Sequence, residues 1–180
     1  MATPPLIFVL NGPNLNLLGS REPEIYGTDT LDVIAERLGA QADALGVTLD
    51  IRQSNHEGHL IDWLHEAQAK GAKAVILNPG GYSHTSVALH DAVKSIATPV
   101  IEVHLSDPEK RESFRHSDLV ALAATRLIKG EGARGYSRTG RRHLLRFPLR
   151  PCLRVSQWRR LILCRPRVPW FAQGLVAPTR

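Results

Sequence analysis

The sequence predicts an open α/β fold, a parallel sheet with helices on both faces. Three observations carry that prediction. Short apolar runs recur along the first 105 residues, amphipathic stretches of helical period separate them, and glycine, proline or asparagine marks most junctions. Strands spaced by single helices pair in parallel through right-handed crossovers, which cover both faces of the sheet. The 180 residues suffice for one such domain, whereas an eight-stranded α/β barrel needs roughly 250. An open flavodoxin-like sheet fits that length.

Residues 6–10 read as the first strand, closed by the turn-forming Asn11-Gly12-Pro13-Asn14. Residues 30–44 place Leu31, Ile34, Leu38 and Ala42 at helical spacing, with Asp29 or Thr30 as N-cap and Gly46 as terminator. Residues 47–51 form the second strand, and Leu60, Ile61, Leu64 and Ala67 mark a second helix that stops near Gly71. Residues 74–77 are the third strand, broken by Asn78-Pro79-Gly80-Gly81; residues 83–96 read as the third helix. Pro99 opens a fourth strand through Val100, Ile101 and Val103. Residues 117–129 repeat Leu119, Leu122, Ala123 and Leu127 at helical spacing and predict a further helix ended by Gly130 and Gly132.

The formal charge of +6 is unevenly placed. Residues 1–136 carry 12 Lys+Arg against all 17 Asp+Glu, a balance of −5; residues 137–180 carry 11 Arg and no Asp, Glu or Lys, a balance of +11. The chain therefore divides into a mildly acidic body, 1–136, and an Arg/Pro-rich tail, 137–180. The tail holds five of the 12 prolines, both cysteines, Cys152 and Cys164, and a hint of period only at 155–163. It reads as a basic extension for RNA or a membrane surface, as a poorly ordered tail, or as the product of a shifted reading frame. Arginine without lysine or any acid favours the last two, so nucleic acid is not an expected partner. The longest early apolar run has five residues, far from the roughly 20 of a membrane span. No basic leader precedes it, so the chain reads as cytoplasmic. The cysteines form no CxxC pair and suggest no metal centre.

In an open α/β sheet ligands bind outside the carboxyl ends of the strands. This chain puts Asn11 to Asn16, then Asn55-His56-Glu57, then residues 78–84, then His104-Leu105-Ser106 on that rim. Amides, imidazoles, a carboxylate and hydroxyls converge there, the composition of a polar small-molecule site. Residues 18–28 are a connection too long for an ordinary strand–helix turn. They read either as a lid carrying Arg21 and Tyr26 or as an anchored surface loop. Asn78-Pro79-Gly80-Gly81 could cradle a phosphate at a helix N-terminus, but it lacks the P-loop lysine; a flavodoxin-like phosphate- or cofactor-binding module is the alternative function. His84 at the start of the third helix, with Asp91 two turns on, fits either substrate contact or capping. Glu102 and His104 share one side of a strand, where the carboxylate would orient the imidazole and raise its pKa, as suits a proton donor.

Five stretches in order, Asn11 to Gly19, Arg21 to Gly27, Gln53 to Gly58, Asn78 to Ser86 and Glu102 to Ser106, resemble the type II 3-dehydroquinate dehydratases. The likeness runs from about residue 6 to 114 and more loosely to 136. It implies a flavodoxin-like subunit in a dodecamer built from trimers, dehydrating 3-dehydroquinate to 3-dehydroshikimate in the shikimate pathway or in quinate breakdown. It implies no cofactor, no metal and no Schiff-base lysine. By that resemblance Tyr26 is the base, acting as phenolate. A free phenol titrates near ~10, so a cation must favour its charged form, and Arg21 on the same lid is the natural one. Asn14 holds a water at the enolate oxygen, and His104, oriented by Glu102, is the acid for the departing hydroxyl. Asn78 holds the substrate near that hydroxyl, the backbone N–H groups of Leu105 and Ser106 receive its carboxylate, and His84 and Arg115 match ring-hydroxyl positions. Arg111 links the site to Asp91 of a neighbouring subunit. The resemblance loosens after Arg115, at His116-Ser117-Asp118. Beyond about residue 140 the apolar continuation of the family's last helix is not followed.

Overall fold

The computed structural model describes residues 3–142; the rest of the tail, including the period at 155–163, lies outside the described residues. Five strands, β1 (Leu6–Asn11), β2 (Thr48–Gln53), β3 (Ala74–Asn78), β4 (Val100–His104) and β5 (Arg126–Lys129), form one sheet in the order β2-β1-β3-β4-β5. All four pairings are parallel, with Asn11 level with Gln53 on one side and Asn78 on the other. This is the flavodoxin-like order, and it reverses direction between β1 and β3.

The strand alternation explains the two cores. Ile7 and Val9 of β1, Ala74 and Ile76 of β3, and Ile101 and Val103 of β4 face one side. There they pack on Ile34 and Leu38 of α2 (Leu31–Leu45) and on Tyr136 of α5 (Arg134–Arg142). Phe8, Leu10, Val75, Leu77 and Val100 face the other side, against Leu60 and Leu64 of α3 (Glu57–Ala69) and Leu89 and Val93 of α4 (Val87–Ser95). Each fully buried Leu, Ile or Phe contributes about 1.5–3 kcal/mol of burial free energy. β3 and β4 are buried throughout; β3 reads as an apolar run ended by Asn78, and β4 carries Glu102 and His104 among its apolar residues, whereas the edge strand β2 is only half-buried.

Local signals act where the sequence places them. The Thr30 hydroxyl accepts the Val33 N–H at 3.2 Å and opens α2; Gly46, at φ 65°, closes it. Residues 18–28 are not wholly irregular, since Pro23 starts the short helix α1 (Pro23–Tyr26). The expected third helix is divided. Gly80–His84 is a 3-10 turn, and α4 begins only at Val87, capped by the Ser86 hydroxyl accepting the Leu89 N–H at 2.8 Å. His84 therefore ends a 3-10 turn rather than starting a helix.

The helix expected over 117–129 does not form, and a fifth strand takes part of its place. Val120 O accepts N–H groups from Ala123 and Ala124, making a single turn. The Thr125 N–H then bonds Val100 O, and residues 126–129 pair with β4. The open edge of β4 offers those backbone donors and acceptors a partner, and the helical spacing of the leucines is overridden: Leu122 is 78% exposed. α5 runs from Arg134 across the expected boundary at 136 to Arg142. Among the described residues no helix is long and apolar enough to cross a membrane.

Candidate active site

The turns after β1 and β3 lean on each other and set the floor of the site. The Gly12 N–H bonds Asn78 O at 2.8 Å, and a Cβ on Gly12 would lie 2.5 Å from Pro79 O. Gly80 adopts φ 58°, and a Cβ there would meet Pro13 O at 3.1 Å. Only side-chain-free backbone permits this approach. Asn14 follows in the left-handed region, φ 65°, its N–H held by Asn55 Oδ1 at 2.9 Å. The 78–81 turn directs the Gly80 N–H inward to Asn78 Oδ1, and Pro79 O accepts the Tyr82 N–H. It offers a poor phosphate cradle.

A cavity of about 230 Å³ opens over the ends of β1, β3 and β4. Asn14, Arg21, Tyr26, Asn78, His84 and His104 line it, together with Leu105, Ser106, Arg111 and Arg115. Ten of the residues singled out in the sequence thus share one hollow. Glu102 stands behind His104, fully buried. Asp91 does not join them; it is exposed on α4.

On the lid side the phenol contact differs from the one expected. Arg111 Nη1 donates to Tyr26 Oη at 2.5 Å, and burial, which opposes the Arg111 charge, is outweighed by that bond. The Arg21 guanidinium lies 5.4 Å from the centre of the Tyr26 ring and pairs with Glu22 at 3.0 Å. Sequence order suggested Arg21 because it shares the lid; the fold brings Arg111 over from the loop after β4.

On the opposite side His104 Nε2 meets Glu102 Oε1 at 2.8 Å and Asp118 Oδ2 at 3.3 Å. The His84 ring stacks at 6.4 Å, its Nδ1 held by Ser117 O at 2.7 Å. Burial would lower the His104 pKa, but hydrogen bonds to Asp118 and Glu102 outweigh it and push it up to about 9. Burial pushes Glu102 up to about 7 against its bond to His104, with the Asp118 charge adding to the rise. Asp118 is held below the usual carboxylate value: burial opposes its ionisation, and the bonds to His104 and to Ala121 N–H prevail. Glu102 Oε2 is buried without a hydrogen-bond partner.

The Glu102, His104 and Asp118 donor atoms lie within 4.8 Å of one another. Both carboxylates converge on the same ring nitrogen, so a proton on Nε2 occupies the lone pair a cation would need. The arrangement suits an imidazolium on a residue that lines the cavity.

Two residues of the site escaped sequence reasoning. Asp118 follows Arg115, where the resemblance loosens, and stands in a segment that read as helix. Tyr136 is fully buried; its hydroxyl donates to Asn11 Oδ1 at 2.7 Å and accepts from Asn78 Nδ2 at 2.9 Å, so it fixes the Asn78 amide. Burial raises its pKa well beyond the ordinary phenol value and keeps it neutral. Its adjacency to Gly135 marked only the start of a helix.

The family model for class II dehydroquinases matches residues 5–143. The 3-dehydroquinate dehydratase of Caulobacter vibrioides is 58% identical over 130 residues, covering 72% of this chain and 88% of that protein. The 3-dehydroquinate dehydratase 1 of Agrobacterium fabrum is 56% identical over 132 residues, 73% of this chain and 90% of that one. The crystal structure of type II dehydroquinase from Butyrivibrio crossotus superposes with a TM-score of 0.75 at 37% identity, over 77% of this chain and 96% of that one. Its counterpart from Propionibacterium acnes gives 0.72 at 41% identity, over 77% and 94%. With one cavity collecting the motif residues and the match spanning nearly all the described chain, this protein belongs to the class II dehydroquinase family.

Proposed function

We propose that this chain dehydrates 3-dehydroquinate to 3-dehydroshikimate, in the shikimate pathway, through an enolate formed by Tyr26 and discharged by His104. The observation that carries the reading is that these two side chains line a single cavity. Tyr26, as phenolate, takes the proton next to the carbonyl; the electron pair of that C–H bond becomes the enolate double bond, and the carbonyl π pair moves onto oxygen. The enolate then re-forms the carbonyl and makes the ring double bond, while the β-hydroxyl leaves with a proton from His104 Nδ1 as water. Arg111, 2.5 Å from the phenol oxygen, is the contact that stabilises negative charge there. Arg21 lines the same cavity and serves the developing enolate in this reading, with Asn14 holding a water at its oxygen. Glu102 keeps the Nε2 proton in place, so that Nδ1 is the nitrogen that gives its proton up.

Asn78 sits beside the departing hydroxyl, His84 and Arg115 take the ring hydroxyls, and the amides of Leu105 and Ser106 receive the carboxylate. The carbonyls of those two residues are occupied from behind by Gly132 and Gly130 N–H groups. Asp91 is exposed on α4, and its role in this reading is to serve a neighbouring subunit's site in a dodecamer built from trimers.

The test is the appearance of enone absorbance from 3-dehydroquinate with chelator present and after borohydride treatment. Turnover is expected under both conditions, and Tyr26→Phe is expected to reduce it about 10²–10⁴-fold while leaving binding of substrate-like acids in place. Full turnover by Tyr26→Phe would remove the phenol from the reaction.

A further inference from the structure

We infer that Asp118 is a positioning residue that holds His104 as the proton donor, sharing that task with Glu102. The inference rests on His104 acting as the acid and extends it to a residue of a different segment.

Asp118 is built into place rather than resting there. Its segment is tied to the 3-10 turn and α4 by three hydrogen bonds: His84 Nδ1 to Ser117 O at 2.7 Å, Leu119 N–H to Ser83 O at 2.7 Å, and His90 Nδ1 to Leu119 O at 2.7 Å. Within the side chain the two oxygens divide the work. Oδ1 accepts the Ala121 N–H at 3.0 Å and caps the following turn, which a purely structural aspartate would also do. Oδ2 is turned inward, 3.3 Å from His104 Nε2. Capping alone does not require that second contact.

The chemistry of the pair follows from burial. Glu102 is fully buried with one oxygen unpartnered, a site where carboxylate charge is costly. Asp118 keeps a side-chain exposure of 17%, so solvent supports its ionisation. Of the two carboxylates on the imidazole, Asp118 is the one that stays charged as Glu102 takes up a proton. A charged acceptor on Nε2 keeps the ring protonated between turnovers and fixes which nitrogen gives its proton to the leaving hydroxyl.

The other charged groups around His104 do not supply this. His84 stacks on it, and Arg21, Arg111 and Arg115 line the same cavity and disfavour a second cation. Lys129, opposite His104 on β5, turns its ammonium to Glu109 at 2.6 Å and Asp107 at 3.5 Å.

The experiment is Asp118→Asn, whose side-chain oxygen still accepts from Ala121, with Asp118→Ser as a second capping-competent variant. Two readouts are taken: the NMR titration of the His104 ring in the resting enzyme, and the pH profile of kcat. The His104 titration and the basic limb of kcat are both expected to fall by about one pH unit or more, a roughly tenfold loss of turnover above that limb. Rates at lower pH and KM are expected to change little, and Asp118→Glu is expected to restore part of the limb. An unchanged His104 titration would overturn the role of Asp118 even if kcat dropped uniformly. A titration that falls while the limb stays would also overturn it. Failure of the acid assignment itself is separately visible, as normal turnover by His104→Ala.

Discussion

A hydroxyl sealed in the core sets one of the site's amides. Tyr136 bridges Asn11 and Asn78 from the end of the described chain, 125 and 58 positions away in sequence. Tyr136→Phe removes that bridge and leaves two buried polar atoms short of a partner. It is expected to cost about 1–3 kcal/mol in chemical denaturation, and to raise KM through the loosened Asn78. Most residues that line the cavity or back it were legible in the sequence, because Asn14, Tyr26, Asn78, His84 and Glu102-x-His104 stand in long ordered motifs. Pairwise contacts were not. Arg111 rather than Arg21 reaches the phenol, and Asp118 reaches the imidazole, because such distances depend on how loops fold over the strand ends.

Strand–turn junctions carry the site at the next scale. Gly12 passes so close to Pro79 that a methyl group would strike backbone, which cannot move aside as a side chain can. Gly12→Ala is therefore expected to destabilise the protein by about 1–3 kcal/mol, measured by thermal or denaturant unfolding, and to weaken substrate binding by separating the two turns. Helix ends marked by Thr30, Ser86 and Gly46 could be read directly, since capping is local chemistry. The segment 117–129 could not, because its leucine spacing fits a helix while the exposed edge of β4 recruits its backbone into a strand. Local period decides an element only when no unpaired sheet edge competes for the same hydrogen bonds.

For the whole molecule, the parallel sheet brings the loops after β1, β3 and β4 to one edge and leaves Asp91 outside the cavity they form. The assembly proposed for Asp91 predicts that light scattering of the full chain gives a dodecamer. It also predicts that Asp91→Ala raises KM without altering the mass. A fully active monomer would take Asp91 out of the site. Val87, Phe114 and Leu122, each more than 60% exposed, are the apolar groups such contacts would cover. By itself the sequence determined the α/β class, the strand and helix order through β4, and the residues of the rim. Those follow from apolar period, capping and turn chemistry within a few neighbouring residues. The tertiary structure alone decided the fifth strand, the partner of the phenol and the second carboxylate on the imidazole. Each joins groups distant in the chain, and only packing of one layer against another sets their separation.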